Sequence, residues 1–82
     1  MYPNPADKEI NLSFYLKESA SVLVDIYDAN GNLVLNVVNH TIKYNKGENL
    51  MLISLERLAI GKYDIHLSVN NDNLNKPFVI SR

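Results

Sequence analysis

The 82 residues, 46% of them hydrophobic, supply one thin core, and a chain of this size buries only about 60% of its unfolded surface, so one domain is the limit. There is no cysteine, which excludes disulfides and thiolate metal sites. Eight basic residues are scattered along a chain of net charge −1, which argues against the clustered basic face of a nucleic-acid binder.

The chain opens MYPNPADKE. Proline fixes φ, lacks an N–H and drives the preceding residue toward extended backbone. Tyr2, Pro3, Asn4 and Pro5 therefore predict a stiff, extended lead-in, neither helix nor central strand. A Met directly before it is expected of a piece cut from a longer protein. In EINLSFYL, Ile10, Leu12, Phe14 and Leu16 alternate with Glu9, Asn11, Ser13 and Tyr15, the period of two of a half-buried strand. KESA breaks the pattern, and SVLVDIYD resumes it through Val22, Val24 and Ile26. ANGN then predicts a tight hairpin with Gly31 at positive φ. LVLNVVN is the return strand, and TIKYNKGEN is expected as a separate, shorter strand ending at Gly47.

Next come LMLISL, ERLAIG and KYDIHLSV. Leu52, Leu55, Glu56 and Ala59 also satisfy helical spacing, but the bounding glycines favour a strand, with at most one helical turn in ERLAIG. Tyr63, Ile65, Leu67 and Val69 share one face. NNDN is a second hairpin turn and LNKPFVISR closes the chain, placing Phe78 and Ile80 in the last strand. No repeat, linker or low-complexity segment interrupts this, and no apolar run reaches membrane-spanning length. About seven short strands with frequent turns predict an all-β, Ig-like antiparallel β-sandwich. Its expected core is Ile10, Leu12, Phe14, Val22, Val24, Ile26, Tyr63, Ile65 and Leu67.

Catalytic chemistry is sparse. His66 falls on the polar face of its strand and, like His40, reads as a surface imidazole rather than a ligand. No nucleophile, histidine and orienting acid come together in the pattern. Asp28, Asn30 and Asn32 resemble half of a calcium loop, but that loop needs glycine at its sixth position and glutamate at its twelfth. Here the glycine is fourth and the twelfth residue is Asn39. Asp25 and Asp64 are expected to be solvated on outward faces. Asn11 and Asn39 head glycosylation sequons that matter only in a eukaryotic secretory route. No metal or cofactor is expected.

YPNPA at the start, VDIYDANGNLV, GEN, LAIGKY and a closing KPFVISR occur in fixed order. Together they resemble the C-terminal sorting domain, type A, of proteins exported by the type IX secretion system of Bacteroidetes. The resemblance covers essentially the whole chain. Ala59 and Ile60 stand where that family prefers proline and a small residue, and Lys62 replaces an apolar one. The resemblance implies that residues 1–82 are a single sorting domain at the C-terminus of a larger secreted protein, a transport signal and not an enzyme. It further implies a cargo domain N-terminal to it, passage through the periplasm, recognition by the type IX translocon, and delivery to the cell surface or beyond. A sortase-like peptidase would cut upstream of the domain.

Tyr2, Pro3, Asn4, Pro5, Asp28, Gly31, Gly61 and Tyr63 are the motif positions carried over. Asp28 can accept from turn amides, Gly61 permits a reversal, and Tyr63 packs its ring with the hydroxyl at the rim. Lys76, Ser81 and Arg82 are expected on the surface that the translocon reads. Ser81 and Arg82, as terminal residues, are expected to be frayed and exchangeable for no more than about 0.5 kcal/mol. Two other classes share the strand pattern: an adhesive Ig-like or fibronectin-type module, and a small carbohydrate-binding module using Tyr15, Tyr27 and Tyr44.

Overall fold

A computed structural model describes residues 6–70 and 72–82, with 39–41 in backbone only. Six strands follow one another: β1 (Glu9–Leu16), β2 (Ala20–Asp28), β3 (Leu33–Tyr44), β4 (Gly47–Ser54), β5 (Gly61–Val69) and β6 (Asp72–Ile80). An isolated parallel bridge between Ala6 and Ile80 adds one further extended segment. All strand pairs are antiparallel, and they form a two-stranded sheet, β1-β4, and a four-stranded sheet, β3-β2-β5-β6. The fold is the expected all-β sandwich.

Alternation explains which side chains meet between the sheets. Ile10, Leu12, Phe14 and Leu16 on β1 and Met51 and Ile53 on β4 are buried. So are Val22, Val24 and Ile26 on β2, Tyr63, Ile65 and Leu67 on β5, and Phe78 and Ile80 on β6. All nine expected core residues are buried. The core also takes Ala6, Leu55 and Leu58, which lie outside the strands and carry no alternation to betray them.

Several boundaries differ from the sequence expectation. LVLNVVN and TIKY form one 12-residue strand, β3, and Gly47 starts β4 instead of ending its predecessor. Three register shifts along β2–β3 accompany that length. Bulges of this kind add local twist, which blunts an otherwise flat edge strand. ERLAIG holds a hydrogen-bonded turn, Leu58 N donating to Leu55 O at 2.9 Å, and no helix. Asn70 takes positive φ, 53°, at the β5–β6 hairpin, in keeping with the tolerance of asparagine for the left-handed region. Pro77 is accommodated because β6 is an edge strand of its sheet.

Phe78, almost fully buried, stacks on Tyr63 with ring centroids 5.7 Å apart. Phe78→Ala is expected to lower unfolding stability by about 3–5 kcal/mol, a large share of what a small domain possesses. Urea denaturation followed by far-ultraviolet circular dichroism checks this, and a loss below 1 kcal/mol, on the order of a surface change, contradicts it.

Candidate recognition end of the sandwich

Residues far apart in the sequence are brought together at one end of the four-stranded sheet. The register sets Asp28 opposite Tyr63 and Tyr63 opposite Phe78, with Tyr27, Asp64 and Pro77 in the adjacent row. Beyond them, Gly61 pairs with Ile80, and Ile80 bridges to Ala6. The β2–β3 hairpin, the GKY stretch, the end of β6 and the entry of the chain therefore share one end. Ala29, Lys62, Tyr63, Asp64, Pro77, Phe78 and Val79 line a shallow cleft there.

The hairpin is built around Asp28. Gly31 N donates to Asp28 O at 3.0 Å, and Asp28 N donates to Asn32 O at 2.9 Å, enclosing a three-residue loop. Asp28 Oδ1 accepts from the amides of Asn30 and Asn32, each at 2.9 Å. Gly31 is at φ 85°, whereas Asn30 is not among the positive-φ residues. A two-residue turn of mirror-image type would need positive φ at both, so the loop is one residue longer than the Asn-Gly signal implied. The Asn32 amide foremost, with those of Asn30 and Gly31, holds the Asp28 carboxyl below its ordinary pKa.

Tyr63 packs its ring inward and donates its hydroxyl to Ala59 O at 2.7 Å. Gly61 opens β5 at φ 157°, at the margin of extended backbone, and a Cβ there would meet Tyr63 Cε2 at 3.8 Å. The hydrogen-bonded turn of this connection lies upstream, over 55–58, and the chain bends again just before Gly61.

Arg82 departs most from expectation. Its Nη1 donates to Leu58 O at 2.8 Å and its Nη2 to Leu55 O at 3.0 Å, while Nε lies 3.3 Å from Asp7 Oδ1. Its side chain is 29% exposed. Ser81 is tied down as well, its amide donating to Ala6 O at 2.8 Å, and Ala6 N donates to Val79 O at 2.8 Å. Neither residue is frayed, because each satisfies backbone groups of other segments.

Lys76 lies apart from this end. It pairs with Ile65 in mid-sheet and lines a groove with Phe14, Leu16, Leu67 and Leu74. Tyr2, Pro3, Asn4 and Pro5 fall outside the described residues, as do the side chains of Asn39 and His40. His66 is half-buried against Tyr27, ring centroids 4.4 Å apart, and so is less solvated than its polar face implied. Asp25 does face outward but is buried, accepting from Asn36 Nδ2 at 2.6 Å, where a solvated carboxylate was expected. Among the described residues, no cluster of three His, Asp or Glu side chains could hold a metal ion.

A family model described as the secretion system C-terminal sorting domain matches residues 1–81. The chain belongs to this family. No curated protein and no solved structure matches it. The family is that of C-terminal sorting signals of type IX secretion, which direct export to the cell surface or into the medium and are not a family of enzymes.

Two outcomes at the hairpin check this geometry. A Cβ at Gly31 would have no atom within 4 Å, so a change there acts through φ alone. Gly31→Val is expected to cost about 1–2 kcal/mol in denaturant unfolding, and an unchanged midpoint contradicts the positive-φ requirement. Folding lowers the pKa of Asp28, so its contribution is complete above the unfolded value of about 3.9 and is lost as pH falls through the lower folded value. Asp28→Ala should therefore lower the melting temperature at neutral pH, and the gap from wild type should narrow in that acid range. A gap constant with pH removes the carboxylate from the account.

Proposed function

We propose that the sorting domain is read as a folded object, at the end of the sandwich where its family motifs converge. The observation that carries this is the register: Asp28, Tyr63 and Phe78, drawn from three separate motifs, stand side by side on adjacent strands. Solvent reaches Lys62 and Val79 on the cleft's rim, while Asp28, Gly31, Gly61, Tyr63, Ser81 and Arg82 give this end its shape. The type IX translocon is the reader in this proposal. The cargo is joined before the Tyr2-Pro3-Asn4-Pro5 lead-in, crosses the periplasm, and is released from the domain by a sortase-like peptidase cutting upstream. Family membership supports these steps. The domain contributes a surface to them, and the peptidase contributes the chemistry.

A signal-peptide-bearing reporter fused to the chain, expressed in a bacterium with a type IX system, tests the reading. Two charge reversals separate the candidate surfaces, Lys62→Glu at the cleft and Lys76→Glu in the groove beside β1. Lys62 is exposed, so its reversal is expected to stay within about 0.5 kcal/mol. Lys76 is half-buried, and the melting temperature of its variant is measured beside delivery so that unfolding is told apart from lost recognition. Lys62→Glu is expected to hold the folded reporter in the periplasm, while Lys76→Glu reaches the surface. The reverse pattern moves the signal to the groove. Periplasmic retention of the unaltered fusion overturns the sorting reading itself.

A further inference from the structure

The geometry points to Arg82 as a positioning residue for sorting: its guanidinium locks the entry of the domain to the end of β6, and this locking, not its charge, is what export requires. The inference rests on the sorting reading above.

A closed circuit of contacts carries it. Arg82 holds Asp7 through Nε and the carbonyls of Leu58 and Leu55 through its two terminal nitrogens. Leu55 N in turn donates to Lys8 O at 2.7 Å, tying the same turn to the entry segment. Ala6 sits between Val79 and Ser81 with both of its backbone groups bonded, and its side chain is buried. Tyr63 completes the arrangement by holding the next carbonyl, that of Ala59. Four stretches of chain, around residues 6–8, 55–59, 63 and 79–82, are thus fastened at one corner. Two side chains satisfy three carbonyls of a single turn.

Such a task is specific to arginine. A planar fork of fixed donors can serve two carbonyls and a carboxylate at once, whereas the lysine ammonium is a compact point charge on a flexible stem. Lysine keeps the sign of the charge and loses the fork. The corner is also where a cargo chain meets the fold, since residues before Ala6 are attached there. Arg82 therefore fixes the place at which the cargo-bearing end of the chain meets the fold, and couples it to the surface at the end of β6. A reader of that surface would meet it correctly formed only when the entry is docked.

Arg82→Lys separates this role from recognition of a charge. Hydrogen exchange on the 82-residue chain reports the lock directly, through the amides of Ala6, Leu58 and Ser81. Losing charge-assisted hydrogen bonds should speed their exchange by about tenfold or more, while amides of the central strands, such as Val24 and Ile65, keep theirs. The same substitution in the reporter fusion is expected to cut surface delivery several-fold, with the melting temperature reporting that the domain remains folded. Asp7→Asn, which leaves Arg82 in place and removes only the charge of its partner, should move exchange and delivery in the same direction by a smaller factor. Unchanged exchange at Ala6 and Ser81 in Arg82→Lys overturns the lock. Faster exchange with undiminished delivery overturns its role in sorting. Retention of the wild-type fusion is a separate result, which fails the sorting reading and leaves the exchange outcome to judge the lock.

Discussion

Two strands in water do not hold together alone, and half of this sandwich is a two-stranded sheet. Among the described residues, β1 and β4 have only each other as ladder partners. Their position depends on burying Ile10, Leu12, Phe14, Leu16, Met51 and Ile53 against the larger sheet, and on where the chain crosses between layers. Of the four places where the chain passes between layers, two lie at the same end. One is the entry through Ala6, Asp7 and Lys8, and the other is the turn from β4 to β5. The hydrogen bond from Leu55 N to Lys8 O ties the two crossings to each other. Tyr63, Arg82 and the Ala6 bridge, at that end, fix those crossings.

The larger sheet answers a different demand. Its two central strands carry the unbroken alternation, and its edges carry the irregularities. β3 is long and has exposed Leu33, Val34 and Ile42, yet its pairing with β2 shifts register three times. β6 contains Pro77 and is flanked at Ile80 by Ala6. These features make each edge a poor template for a further strand.

The strands and most of the core were legible because a half-buried strand writes its orientation every second residue. β1, β2 and β5 are cases in which that alternation was complete. Where the rule gave out, a different force decided. β3 absorbed two expected strands because bulges let the chain change register without ending the ladder, and a bulge leaves no period to read. Leu55 and Leu58 are buried in a turn, where periodicity has no meaning. The Asn-Gly pair announced the hairpin correctly but not its length, which the carboxylate of Asp28 sets through two amides. Asp25 was misread because outward direction was equated with solvation, while Asn36 across the strand pair covers it. Arg82 was the largest miss. A basic residue after the last strand has no local partner to reveal it, since the carbonyls it serves belong to residues distant in sequence. Tyr63, by contrast, was placed with its ring inside and its hydroxyl at the rim, and only the identity of its acceptor awaited the structure.

The Ala6–Ile80 bridge also sets an order of events. Its two residues stand near opposite ends of the chain, so pairing them closes a loop almost as long as the domain. The entropy of that closure is largest for contacts most distant in sequence, and such contacts form late. The hairpins between neighbouring strands can assemble first, each around its own short turn. Ala6 must wait for Val79 and Ser81 to arrive before either of its backbone groups finds a partner. Completion of the fold is therefore registered at a single corner, and a chain halted before that last pairing differs from a finished one there more than anywhere else.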